Sequence, residues 1–217
     1  DAANATTQPA PRRPRGRPRK TPEERDDGNR RQELIRAAAG LFRAKGFAAT
    51  STRDIAAAVG MHSGSPFYHF KSKNALLREV MEQGMRSALA RQAATLQALH
   101  AAAPEATLRG LICTHFDILL GADSSFVPVM LYEWRSLTLP QRAAIIGLQH
   151  DYEAAWLPLL QALRRKGRLH AEPRLARLLL LGALNWSVQW YDASRGASLD
   201  ELTDAAIALF IHDPAPN

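Results

Sequence analysis

The side chains best placed for chemistry in this 217-residue chain crowd into one short stretch, Ser63 to Lys73. Ser63, Ser65, Tyr68 and His69 bring hydroxyl and imidazole groups, Gly64 and Phe67 a bare backbone and an aromatic edge, and Lys71 and Lys73 two fixed charges. Small hydroxyls and aromatic edges complement base edges and thymine methyls, and the lysines complement phosphate. That is recognition chemistry, and bond-making chemistry has no comparable candidate. The seven histidines are scattered, with no pair at metal-ligand spacing, and Cys113 and His115 diverge if they lie on a helix. No serine sits in a nucleophile elbow, and no glycine-rich loop follows a strand pattern. Asp192 with Asp200, or Glu133 with Asp151, could pair only in space. The expectation is therefore no catalytic residue, no metal site and no cofactor.

The elements that must hold these groups can be read outward from them. Leu34, Ile35, Ala38, Leu41 and Phe42 recur at helical spacing, and Arg43 and Lys45 favour the negative end of that helix. Gly46 followed by Phe47 reads as a left-handed helix cap. Ser51 with Asp54 predicts a capping box opening a second helix, whose inner face is Ile55, Ala56 and Val59. Gly60 then reverses the chain, and a third, short helix follows with Pro66 in its first turn. Pro66 and Phe70, four apart, share an inward face; Ser63, Gly64, Phe67 and Tyr68 take the opposite side, with Ser65 and His69 at its edge. Core packing is the competing role for Phe67 and Tyr68, but two adjacent residues cannot both be buried on so short a helix. Three such helices are the geometry of a helix-turn-helix that puts side chains into a major groove.

With these residues in view, positions 30 to 76 resemble the N-terminal domain of the TetR family of bacterial transcriptional regulators. The resemblance rests on TRDIAAAVG, a short turn, and GSPFYHFKSKNALL. It implies that Arg53, Ser63, Gly64, Ser65, Phe67 and Tyr68 read bases, and that Thr52, His69 and Lys73 contact the DNA backbone. It also implies a C-terminal inducer site. His62, Pro66 and Phe67 depart from the family's preferred serine, leucine and tyrosine, and the last departure removes a hydroxyl.

Charge follows the same division. Residues 1–20 carry a net +5, residues 30–75 a net +6, and residues 76–217 a net −1, out of +7 for the chain. Positive charge gathered on the reading segment points to a polyanionic partner, double-stranded DNA. Residues 9–20, PAPRRPRGRPRK, cannot build a core and are expected to be disordered when free. Arg15, Gly16 and Arg17, between two prolines, resemble an AT-hook: an extended backbone laying two arginines in a narrow A·T minor groove. A generic basic tail that only raises nonspecific affinity is the alternative.

Beyond Ser72 strand alternation is absent, so the fold class is all-α. Breakers divide the chain into helices expected near 73–101, 105–120, 125–137, 140–166, 173–192 and 198–212, with a kink at Gly84 and a bend at Pro158. The expected organisation is a tail (1–28), a helix-turn-helix domain (29–75) and a helical ligand-binding and dimerisation domain (76–217), the last two each with its own core. No apolar run is long enough for a membrane span, no secretory signal is expected, and a single cysteine is compatible with a reducing cytoplasm. All four tryptophans fall in the last domain. A small-molecule pocket is expected to touch Trp134, Trp156 or Trp186, with His115, Phe116 and Asn185 nearby. YEWRSL and NWSVQWYD resemble family members that answer to CoA thioesters or other hydrophobic carboxylic ligands. Leu178 and Gly182 on one helix, and Leu202 and Leu209 on the next, are expected at the seam of a homodimer that doubles a palindromic site. The leading reading is a repressor released from its operator by a hydrophobic ligand. The alternative is an architectural DNA-binding protein led by the basic tail.

Overall fold

Leu34, Ile35, Ala38 and Phe42 turn one face of the first helix, α1 (Pro22–Lys45), into an apolar stripe, and all four are buried. The computed structural model describes residues 22–62, 66–121, 124, 126–194 and 196–213. Every regular element among these is helical. After α1 come α2 (Thr52–Ala58), α3 (Pro66–His69) and the long α4 (Lys73–Ala98). The rest of the chain adds α5 (Pro104–Leu120), α6 (Phe126–Glu133), α7 (Leu139–Ala154), α8 (Trp156–Arg165), α9 (Pro173–Trp186) and α10 (Leu199–Phe210). Short 3-10 turns extend α6 over Trp134–Ser136 and α9 over Ser187–Gln189.

Local signals account for most of the boundaries. Ser51, Ser72, Glu172 and Ser198 each accept a backbone N–H of the helix that follows, and Pro104 and Pro173 open α5 and α9 where a missing amide costs nothing. Gly46 and Gly60 take φ of 81° and 67°, the left-handed turns expected of them. One expectation needs correction. The span 140–166 is two helices: α7 ends at Ala154, and Trp156 starts α8 with Pro158 in its first turn. α4 runs unbroken through Gly84. A Cβ there would lie 2.8 Å from the Cβ of Phe126, so the glycine lets the start of α6 lie directly on α4.

α4 is also what joins the two halves. It packs on α1, α5, α6 and α7, and it runs unbroken across the boundary expected at 75/76. Leu76, Leu77 and Met81 of α4 belong to the same buried cluster as Phe42, Ile55 and Phe70 and as Leu111, Leu160 and Trp156. The buried apolar residues therefore form one continuous cluster where two cores were expected. Close-packed interiors transmit displacement, so α4 and its neighbours couple the short N-terminal helices to the rest.

Candidate DNA-reading head and ligand cavity

α2 and α3 are placed by small, local devices. The amide of Asp54 donates to Ser51 Oγ (3.1 Å) while the Ser51 amide donates to Asp54 Oδ2 (2.8 Å), closing the capping box. The Ser51 amide foremost, and then the Ser51 hydroxyl, which also donates to Asp54 Oδ2 (2.8 Å), hold the Asp54 carboxyl below its ordinary range. At α3, Phe70 is buried, with the Arg31 guanidinium 5.0 Å from its ring centroid. Tyr68 is 82% exposed and stands edge-on to His69 at 5.2 Å. The helix is thus rotated as its spacing demands, with Phe70 inward and Tyr68 outward. Arg53 is exposed on α2, while Thr52 and His69 are half-buried. Ser63, Gly64, Ser65 and the Phe67 side chain lie outside the described residues, as do Arg15, Gly16 and Arg17.

Lys73 is held by contacts within the protein. Its ammonium donates to the carbonyls of Phe47 (2.8 Å) and Thr50 (2.9 Å) and lies 4.2 Å from the Phe47 ring centroid. Two of its three donors therefore tie down the α1–α2 turn, leaving one for any DNA oxygen. Behind that turn, the Phe47 amide donates to Glu133 Oε1 (2.8 Å), and Ser136 Oγ donates to Glu133 Oε2 (3.0 Å). Asn74 Nδ2 donates to the Ser136 carbonyl (2.8 Å), and Arg43 donates to the Ser124 carbonyl. The C-terminal end of α6 thus grips both the turn entering α2 and the first turn of α4.

Because Tyr68 is so exposed, Tyr68→Ala is expected to leave the unfolding free energy within the roughly ±0.5 kcal/mol typical of surface changes while weakening operator affinity about tenfold. Unfolding, or unchanged affinity, would remove Tyr68 from the reading face.

The C-terminal helices line a small, partly open cavity of about 40 Å³ between α4, α5, α6, α7 and α9. Met85, Ala88, Ile118, Val127, Met130 and Leu181 supply apolar walls; His115, Gln149, Tyr152, Glu153 and Asn185 supply polar groups. His115 spans the wall: Nδ1 lies 2.8 Å from the Tyr152 hydroxyl and Nε2 3.1 Å from Asn185 Oδ1. Gln92, also buried, donates to the Tyr152 carbonyl at 3.0 Å and holds α7 against α4. Burial lowers the His115 pKa to about 4, with Asn185 opposing, and pushes the Tyr152 phenol well above its ordinary value.

The cavity takes in some of the residues expected at a pocket and not others. His115 and Asn185 line it, but none of the tryptophans does. Trp156 is fully buried behind the wall, edge-on to His115 at 5.8 Å. Phe116 is buried beside it in the core. Trp134 packs under the Arg142 guanidinium, 6.0 Å away, and Trp186 is 65% exposed. Tyr152, with Gln149 and Glu153 on the same helix, was the missed contributor; their three- and four-residue spacings were the available signal.

The neutral state of His115 has a consequence for stability. Unfolded, this imidazole takes up a proton near pH 6.5; folded, only near pH 4. Between those values the unfolded chain binds the extra proton. Its contribution is therefore fully present above pH 6.5 and is lost as pH falls toward 4, by about 3 kcal/mol in all. Urea unfolding across that range is expected to show a shallower pH slope for His115→Leu than for the unaltered chain. Equal slopes would mean the histidine is not held neutral.

Elsewhere, Leu175, Leu178, Leu179, Gly182 and Trp186 leave one face of α9 apolar and exposed, and Leu209 on α10 is 74% exposed; Leu202 is half-buried. Among the described residues no group of three or more His, Cys, Asp or Glu could hold a metal ion. No described helix is long and apolar enough to cross a membrane.

Comparison with known proteins converges on one family. Residues 34–80 match the profile of bacterial regulatory proteins of the tetR family, and residues 101–213 that of the tetracyclin repressor-like C-terminal domain. The HTH-type transcriptional repressor KstR2 of Rhodococcus jostii (strain RHA1) is 27% identical over 200 residues, covering 88% of this chain and 96% of that protein. The crystal structure of the superantigen PfiT is 36% identical, with a TM-score of 0.71 over 83% of this chain and 95% of that one. AibR, solved in complex with isovaleryl coenzyme A and operator DNA, shares the fold at a TM-score of 0.76 and 22% identity, over 83% of this chain and 97% of that one. With an exposed Tyr68 on a capped helix-turn-helix and both halves matched, the chain belongs to the TetR family: it is a DNA-binding transcriptional regulator of the repressor type, not an enzyme.

Proposed function

We propose that the chain acts as a homodimer on a palindromic operator and leaves it when a small hydrophobic molecule enters the cavity between α4, α5, α6, α7 and α9. One observation carries this reading: α6 belongs to both sites. Val127 and Met130 form part of the cavity wall, and Glu133, at the other end of the same eight-residue helix, holds the Phe47 amide of the reading head. A ligand that favours a different seating of α6 displaces the α1–α2 turn and with it the recognition helix, which shifts the population away from the DNA-competent spacing. In this reading residues 29–75 read DNA, through Arg53, Ser63, Gly64, Ser65, Phe67 and Tyr68 at bases and Thr52, His69 and Lys73 at the backbone. Residues 76–217 bind ligand and assemble the dimer through α9 and α10. Residues 1–28 are the tail, whose Arg15, Gly16 and Arg17 enter an adjacent minor groove. The protein then works where the bacterial chromosome is, in the cytoplasm.

Acyl-CoA thioesters are the first ligand class to test, since AibR was solved with one together with operator DNA. Fluorescence anisotropy on an operator selected from a palindromic library measures release by a thioester series. Ala88→Leu, which fills the cavity, is expected to keep operator affinity and to raise the thioester concentration needed for release at least about tenfold. Normal release from Ala88→Leu would put the ligand elsewhere. Equal binding to unrelated duplexes, indifferent to every thioester, would favour the architectural alternative.

A further inference from the structure

The polar groups that face the cavity from its inner wall carry no charge, and their hydrogen-bond directions can be assigned. A neutral imidazole has one N–H, and the Tyr152 hydroxyl supplies the other hydrogen of the chain. Tyr152 therefore donates to His115 Nδ1 (2.8 Å), and His115 Nε2–H donates to Asn185 Oδ1 (3.1 Å). This fixes the Asn185 carboxamide with its oxygen occupied. Its Nδ2 makes no hydrogen bond among the described residues and is not sealed from solvent, so it is open to a ligand. At the rim, charge is already balanced: Glu153 accepts from Gln149 Nε2 (3.0 Å) and pairs with Arg177 (3.4 Å). The remaining walls are thioether and hydrocarbon from Met85, Met130, Ile118 and Leu181.

An uncharged carbonyl oxygen suits this lining, because it accepts from Asn185 Nδ2 and brings no charge to desolvate. A carboxylate would enter a largely apolar site and would meet the Glu153 carboxylate at the rim, where Arg177 already pairs with Glu153, which is costly. We propose that the cavity selects an uncharged carbonyl, as in a thioester, ketone or ester, through Asn185 Nδ2, and rejects the corresponding free acid. The selection rests on the reading of this cavity as the effector site. It also separates two classes that hydrophobicity alone leaves together: thioesters and the carboxylic acids they are made from.

Calorimetric titration of the full chain at neutral pH tests this with probes of one carbon skeleton: cyclohexyl methyl ketone, S-ethyl cyclohexanecarbothioate, cyclohexanecarboxylate and the hydrocarbon isopropylcyclohexane. The ketone and thioester are expected to bind at least about tenfold tighter than the carboxylate. Asn185→Leu is expected to weaken the ketone and thioester about tenfold while leaving the hydrocarbon unchanged. A carboxylate that binds the unaltered chain as tightly as the ketone overturns the proposal, and this comparison needs no variant to fold. Ketone binding that survives Asn185→Leu overturns the role of Asn185. In both cases the cavity remains the effector site if Ala88→Leu weakens every probe. If Ala88→Leu weakens none, the probes bind elsewhere, and the effector reading fails together with the selectivity.

Discussion

Leu178→Glu combined with Leu209→Glu is expected to turn a dimer into monomers and to weaken operator binding at least about a hundredfold, ~2.7 kcal/mol. Leu178 and Leu209 are 55% and 74% exposed, on helices that pack against each other, and Leu175, Leu179 and Trp186 extend the same apolar surface. A monomeric soluble protein rarely shows water so continuous a patch. Two glutamates per chain place four like charges in a two-fold seam, which no rearrangement of leucines can neutralise. Each head alone reads too few base pairs for tight binding, so affinity should fall with the dimer. Sedimentation velocity and anisotropy on the same samples check both halves. An intact dimer would move the seam to another face; a monomer with undiminished affinity would show that one head suffices.

Trp156→Ala is expected to cost about 3–5 kcal/mol of unfolding free energy, a large part of a domain's usual stability. The indole is fully buried and packs against His115 and Tyr152 at ring-centroid distances of 5.8 and 6.4 Å. Its truncation opens a void behind the cavity wall that the neighbouring rings can fill only in part. Its Nε1–H, however, is buried without a partner. Leaving that donor unsatisfied already offsets part of the burial gain, so Trp156→Phe, which removes the N–H and keeps most of the volume, should cost much less than the alanine change. Urea unfolding of the three proteins measures the order. A Trp156→Ala cost below about 1 kcal/mol would mean that the site collapses freely around the missing ring.

These two predictions concern residues that look alike in sequence. Trp156 and Trp186 both sit on amphipathic C-terminal helices beside polar groups, yet one is fully buried and the other largely exposed. Periodicity says which residues share a face. What lies opposite that face depends on how helices distant in sequence pack, and that packing is not encoded in any one window. The same limit applies to the cavity. His115 meets a tyrosine 37 residues away and an asparagine 70 residues away, and only their packing turns three separate helix faces into one wall.

The local rules were legible because their causes are local. A serine three residues before an aspartate satisfies two orphan amides within one turn, so the start of α2 could be read directly. Gly46 and Gly60 were readable because only a residue without Cβ turns left-handed cheaply. The outward Tyr68 and inward Phe70 followed from helix geometry over five residues. Lys73 and Glu133 belong to the other kind. The lysine holds carbonyls 23 and 26 residues before it, and the glutamate holds an amide 86 residues before it. The sequence by itself therefore determined the all-helical class, the first cap of α2 and the outward side of Tyr68, because each depends on backbone and side-chain geometry within a few residues. Only the tertiary structure decided where the cavity lies and how α6 connects it to the reading head, because those depend on charges and apolar faces brought together by the packing of the whole chain.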